Sequence, residues 1–127
     1  IVERMRQPAG LLEEEYTTSE LLSLVGNMDM LIGIRLHALI FAAVMNVPMV
    51  GVSYDPKIDR FLETLGEEPV GALQTVSADG LMARVQAVWP EIQRPDRGRT
   101  ERIGVLRKKA FENAELAVAL IEKRKRG

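Results

Sequence analysis

The sequence predicts an α/β fold with a partial doubly wound parallel sheet, and three observations carry that prediction. Asp29 to Ile34 and Pro48 to Ser53 are apolar runs without polar alternation, the pattern of strands covered on both faces. Leu36 to Met45, between them, reads as a helix. Helical patterns also flank the pair on either side. Strand, helix and strand in that order form a βαβ unit, which belongs to αβα layers around a parallel sheet. Only two strands are legible, so the parent sheet is expected to be larger.

Each element has its own local cause. Residues 1–9 read as the end of a helix, and Gly10-Leu11-Leu12 as a short strand or turn. The chain begins with Ile1 rather than Met, which suggests a piece of a longer protein. Thr17 or Thr18 suits the N-cap of the next helix, with Glu20 in its first turn. Leu21, Leu22, Leu24 and Val25 give its apolar face, and Gly26-Asn27 its end. The helix from Leu36 has no polar side chain between His37 and Asn46, so it is expected to be nearly enclosed. Asn46 and Pro48 stop it. Asp55 and Pro56 then supply an N-cap and a first helical residue. Ile58, Phe61, Leu62 and Leu65 form the inner face of that helix, and Gly66 ends it.

Residues 67–76 read as irregular. Ser77 or Asp79 opens a helix to Trp89, before Pro90. Residues 92–99 read as a polar loop. A long helix is expected from about Thr100, with Ile103, Leu106, Ala110, Ala114, Ala117 and Ile121 at helical spacing. Residues 1–127 are thus expected to be one domain, with a core over 17–90 and a C-terminal helix over about 100–125.

Composition narrows the chemistry. The 127 residues suit one domain, and 46% apolar residues suffice for a core, mostly aliphatic because aromatics are 5%. The absence of cysteine excludes disulfides, thiolate catalysis and sulfur-ligated zinc. One histidine among scattered carboxylates lacks metal-ligand spacing. No Walker A loop or GxGxxG pattern occurs. The longest apolar stretch, Leu36 to Val47, is too short to span a bilayer.

The net charge of -1 is unevenly spread. Residues 1–90 hold 6 basic and 12 acidic side chains, and residues 91–127 hold 11 and 6. The basic end includes Arg94, Arg97, Arg99 and Arg102, then Lys123-Arg124-Lys125-Arg126. Such a tail can touch nucleic acid or an anionic membrane surface. A solvated helix end whose cations suit the dipole is the favoured reading. Without aromatic interleaving, no nucleic-acid partner is expected.

In open α/β sheets, ligands bind beyond the carboxyl ends of the strands. Here those ends are Gly33-Ile34-Arg35-Leu36-His37 and Ser53-Tyr54-Asp55-Pro56-Lys57. Residues two apart on a regular helix point about 200° from each other. Arg35 and His37 can therefore serve one ligand only if Arg35 lies in the turn and His37 in the first helical turn. Both would then stand beside unpaired helix N–H groups, a setting for phosphate or carboxylate. Arginine adds a planar fork for two oxygens. Local alternatives exist: a satisfied histidine at a helix start, an ion pair from Arg35 to Asp29 or Asp55, a purely capping Asp55 and a surface Lys57.

The segment from Asp29 through Arg35-Leu36-His37-Ala38 to Ala43, then Val47-Pro48, then Gly51-Val52-Ser53-Tyr54-Asp55-Pro56-Lys57, resembles the polysaccharide pyruvyl transferase family. It looks closest to the bacterial type that pyruvylates cell-wall polysaccharide for surface-layer anchoring. The resemblance is sharp over residues 17–66, looser over 67–120 and uninformative in 1–16. It implies two Rossmann-like halves, similar to GT-B glycosyltransferases, with the active site between them. This chain would be most of the C-terminal half, and its partner would be the N-terminal half of the same protein. The implied reaction moves the enolpyruvyl unit of phosphoenolpyruvate onto a sugar of a polysaccharide or its lipid-linked precursor, forming a pyruvate ketal. No cofactor is implied. Arg35 and His37 would be catalytic, with His37 as acid/base. Arg35, Leu36 through its N–H, His37, Ser53, Tyr54, Asp55 and Lys57 would bind substrate. The implied location is cytoplasmic, with peripheral contact to the inner membrane face allowed by the tail; the sequence does not give an oligomeric state.

Two alternatives compete. A GT-B-type nucleotide-sugar glycosyltransferase half would use the same strand ends for a diphosphate. It would want a carboxylate for the ribose, for which Glu63 and Glu67 are the nearby candidates, both read as surface. A non-catalytic phosphate-binding module is the other.

Overall fold

The computed structural model describes residues 2–94 and 96–126. Ile1, Pro95 and Gly127, which fall in the expected helix end, polar loop and tail, lie outside the described residues. After a 3-10 turn at Val2–Arg4 come α1 (Thr18–Gly26), β1 (Leu31–Gly33), α2 (Leu36–Val44), β2 (Met49–Gly51), α3 (Pro56–Thr64) and α4 (Ala78–Val88). A 3-10 turn at Trp89–Ile92 and α5 (Arg97–Arg126) complete the chain. The fold is mixed α/β with a small parallel sheet. Residues 5–17 have no regular helix or strand, so neither the expected N-terminal helix end nor a strand at Gly10 forms beyond the first turn.

β1 and β2 pair in parallel, with Leu31 opposite Met49, Ile32 opposite Val50 and Gly33 opposite Gly51. A parallel pair needs a crossover, and α2 supplies it. The ladder extends past the strands: Leu31 N–H donates to Pro48 O at 2.9 Å and Val52 N–H to Gly33 O at 3.0 Å. Residues 70–73, expected to be irregular, run alongside β2. Val70 N–H donates to Gly51 O, Ser53 N–H to Gly71 O and Leu73 N–H to Ser53 O, at 2.7 to 3.0 Å. Pro69 and Gly71 hide this short pairing from any strand pattern.

One face of the sheet carries the main core, where Leu31 and Met49 meet Leu39, Ala42 and Ala43 of α2, Ile58 and Leu62 of α3, and Ile103 of α5. The opposed Gly33 and Gly51 let the helices approach. A Cβ on Gly51 would stand 2.6 Å from Leu62 Cδ1, and one on Gly33 would stand 3.2 Å from Leu39 Cδ2. On the other face, Val50 and Val52 are buried and α4 lies against β2. β1 departs from the expected full cover: Ile32 is 52% and Ile34 44% exposed. No helix of the described residues covers that side of β1 well enough to bury them. α2 is likewise covered on one side only, with Leu39, Ala42 and Ala43 buried and Val44 and Met45 exposed.

Helix ends follow the local chemistry. Thr17 and Glu20 form a capping box on α1: Thr17 N–H donates to Glu20 Oε2 at 2.8 Å, and Glu20 N–H to Thr17 Oγ1 at 3.3 Å. Asp55 Oδ1 accepts from Lys57 N–H at 2.8 Å. Ser77 caps α4 through Gly80 N–H. Gly66, at φ +73°, ends α3 as expected. The turn it makes carries Glu67 back, its N–H donating to Leu62 O at 2.9 Å.

Glu67 is therefore buried, not at the surface as the sequence suggested. Its carboxylate takes Arg84 Nη2 at 2.9 Å and Arg99 Nη1 at 3.3 Å. Arg99, read as part of a polar loop, is fully buried and also reaches Glu91 Oε2 at 2.6 Å. α5 begins at Arg97 rather than Thr100 because Asp96 accepts from Gly98 and Arg99 N–H. Arg102 Nε then donates to Leu65 O and Arg107 Nη2 to Val44 O, both at 2.6 Å. Two arginines of one helix thus satisfy carbonyls at the C-terminal ends of α3 and α2. Beyond Leu106 the expected apolar stripe does not pack: Ala110, Ala114, Ala117 and Ile121 are exposed. A helix of 30 residues is about 45 Å long and outruns the core it starts from.

Two expectations for stability follow. Glu67→Ala leaves Arg99 buried with Glu91 alone. It should cost about 3 kcal/mol, the lower end for breaking a buried pair, read as a lowered urea midpoint. Arg99→Met should cost less, because Glu67 keeps Arg84. The second expectation concerns acid. The hydrogen bond from Thr17 N–H, with that from its hydroxyl, holds the Glu20 carboxyl below the usual carboxylate range. A depressed pKa gives stability above the unfolded value that is lost as pH falls through the folded one. Amide exchange at the start of α1 should therefore quicken on acidification below the carboxylate range, and Glu20→Gln should remove that dependence.

Candidate functional site

Because β1 and β2 are parallel and adjacent, their carboxyl ends open on one edge. α2 and α3 start there, so two helix N-termini point at the same place. Arg35 is the N-cap of α2, with extended backbone (φ -103°, ψ 131°) and no side-chain cap bond. His37 falls in the first turn. This is the placement that lets both side chains serve one ligand, and it leaves first-turn N–H groups of α2 without a side-chain acceptor.

Between the two helix starts lies a cleft of about 220 Å³, lined by Arg35, Leu36, His37, Tyr54, Asp55, Lys57 and Ile58. Six of the seven residues singled out in the sequence line it. The seventh, Ser53, is buried below the cleft, where its hydroxyl donates to Asp55 O at 3.3 Å and shapes the loop. Asp55 already caps α3, so one carboxylate oxygen is engaged with the backbone. Among the described residues Arg35, His37 and Lys57 make no ion pair. The ion pair from Arg35 to Asp29 or Asp55 considered above does not form. Arg35 and Lys57 thus bring two unneutralised cations to one opening, against one capped carboxylate.

A second hollow of about 310 Å³ adjoins the first, lined by Ile34, Arg35, Tyr54 and Leu73. Arg35 and Tyr54 form the wall between the two. Sequence reasoning missed Ile58, whose apolar spacing marks it only as core, and Leu73, which lies in a segment without a pattern. Leu73 reaches the site because residues 70–73 pair with the extension of β2.

No helix of the described residues is long and apolar enough to cross a membrane. Neither the curated proteins nor the solved structures compared give a match to the chain. A family model does match. It covers residues 2–56, from the first turn through β1, α2 and β2 to the start of α3, and so includes Arg35, Leu36, His37, Ser53, Tyr54 and Asp55; over that stretch the chain is similar to the polysaccharide pyruvyl transferase family.

Proposed function

We propose that the Arg35–His37 cleft binds phosphoenolpyruvate, and that the chain is the donor-binding, C-terminal Rossmann-like half of a GT-B-like pyruvyl transferase. The observation that carries this reading is the meeting of Arg35, His37 and Lys57, free of internal ion pairs, at the starts of two helices. Phosphoenolpyruvate bears a phosphate and a carboxylate. Arg35 can take two oxygens of one of them in a planar fork, and Lys57 can neutralise the other. Leu36 contributes its N–H, since its side chain cannot hydrogen-bond.

The reaction follows from those contacts. A proton adds to the methylene carbon of the enol, and the next carbon becomes electrophilic. A sugar hydroxyl attacks that carbon and releases its proton. The C–O bond to phosphate breaks, and the leaving group takes the electron pair. A second hydroxyl of the same sugar closes the ketal and releases its own proton. His37 is within the cleft and is the group suited to moving a proton. The cation that holds the phosphate, together with the N-terminus of α2, stabilises it as it departs. The adjoining hollow on Tyr54 and Leu73 offers the acceptor sugar an apolar shelf beside the donor. The acceptor is a cell-wall polysaccharide or its lipid-linked precursor, modified on the cytoplasmic side, where phosphoenolpyruvate is available.

A nucleotide-sugar glycosyltransferase fits less well. Its ribose carboxylate would have to be Glu63 or Glu67, and Glu67 is committed to Arg84 and Arg99.

In the enzyme at its natural full length, Arg35→Ala should lower turnover by about 10²- to 10³-fold, the effect of losing one charge-stabilising donor. Its melting temperature should stay unchanged, because the side chain is exposed and makes no ion pair among the described residues. Near-normal activity would remove Arg35 from the anion site. Adding phosphoenolpyruvate should shift the His37 ring resonances of this chain, and His37→Gln should lower turnover by about 10²- to 10⁴-fold. A ring that responds to a nucleotide sugar but not to phosphoenolpyruvate would favour the glycosyltransferase.

A further inference from the structure

At the other end of the sheet, where the chain enters β1 and α4 runs into its 3-10 turn, lies a hollow of about 360 Å³. Asp29, Trp89, Pro90, Ile92 and Gln93 line it. Trp89 is the single tryptophan of the chain, yet it is 60% exposed. Holding so much indole in water forgoes burial worth about 25 cal/mol per Å², so the ring contributes little packing where it stands. The side chains of Asp29, Trp89 and Gln93 make no hydrogen bond or ion pair among the described residues. The hollow therefore presents an indole, a carboxylate and a carboxamide, all open to a ligand.

A pyranose ring is the chemical complement of that set. Its C–H face is apolar and slightly positive, and the indole face is negative. Its neighbouring hydroxyls can donate to the two oxygens of one carboxylate. A carboxamide both donates and accepts, as a hydroxyl does. Pro90 and Ile92 add apolar wall. The volume is near the lower bound of small-molecule pockets, about 300 Å³. The Asp29 charge opposes phosphates and other anions, so the hollow differs in kind from the Arg35 cleft.

We propose that this hollow is a second saccharide site, which takes a neutral or N-acetylated pyranose unit of a polymer whose reacting unit lies at the cleft. The proposal rests on the polysaccharide specificity put forward above but not on the Arg35–His37 chemistry. Holding one polymer at two places raises the effective concentration of the reacting unit without any new contact at the cleft.

The lone tryptophan makes the test direct. The full chain is titrated with a linear glucose hexamer and with a β-linked N-acetylglucosamine hexamer while Trp89 emission is followed. A saturable shift with at least one of them is expected. Asp29→Ala should weaken that binding about tenfold or more with unchanged circular dichroism, since Asp29 is exposed. Trp89→Ala should lose retention on the corresponding insoluble polymer. Emission unmoved by either hexamer at millimolar concentration would overturn the proposal. So would a shift that Asp29→Ala leaves intact, or one that tetramethylammonium reproduces, which would mark a cation site. The His37 ring reports the donor separately. If it responds to phosphoenolpyruvate while Trp89 stays silent to sugar, only this inference falls. In the reverse case, only the donor reading falls.

Discussion

The parallel pairing of β1 with β2 is the constraint on which the candidate site depends. Parallel strands need a helix to return the chain, and that helix must start where the first strand ends. The start of α2 is therefore fixed beside the start of α3. Gly33 and Gly51 stand opposite each other at that end, and both lack the atom that would hold Leu39 and Leu62 away. The backbone approach that this permits sets the width of the cleft. A side chain at either glycine would push a helix outward, and the distance between Arg35 and Lys57 would change with it.

Charge is used in two opposite ways in this small fold. Arg84, Arg99, Arg102 and Arg107 are bound inward, to Glu67, Glu91, Asp96 and the carbonyls of Leu65 and Val44. They attach α4 and α5 to the ends of α2 and α3. Among the described residues, Arg35 and Lys57 are left without ion-pair partners at the strand ends. The attachment is not uniformly satisfied: Arg99 Nε and Nη2 are buried without a partner among the described residues. The polar contacts of its side chain run through Nη1 alone, which faces two carboxylates. An interior cation of this kind is costly to place and more costly to strand, so its partners are structural residues in the full sense.

Much of the site was legible because it depends on local rules. Arg35 and His37 follow an apolar run and open a helix, and Asp55-Pro56 is an unambiguous helix start. The parallel strand ends then bring the two segments together. What was not legible depends on tertiary context. Glu67 looks like any surface glutamate until the turn at Gly66 folds it under α3. Arg99 looks like part of a basic patch until Asp96 starts a helix that carries it inward. Residues 70–73 have no strand pattern, because their pairing comes from the edge that β2 offers. Ile32 and Ile34 look like a doubly covered strand, yet α4 reaches only as far as β2. The stripe on α5 is periodic but has nothing to face beyond Leu106.

With nothing to face beyond Leu106, α5 is ordered from its N-terminal end. Starting a helix is unfavourable by a factor of about 10³, while adding residues to a helix already begun is nearly neutral. The start of α5 is provided by Asp96 on the first free N–H groups, by the buried Arg99 and by the half-buried Arg102 on the Leu65 carbonyl. The outer turns, where Phe111, Leu116 and Leu120 are exposed, therefore inherit their helicity by propagation from one end. Helical order in the last turns, including Lys123 to Arg126, is then a remote effect of that anchored start, to which the buried Arg99 contributes. Glu67, as one of the two carboxylates on Arg99, is thereby linked to the basic terminus without touching it.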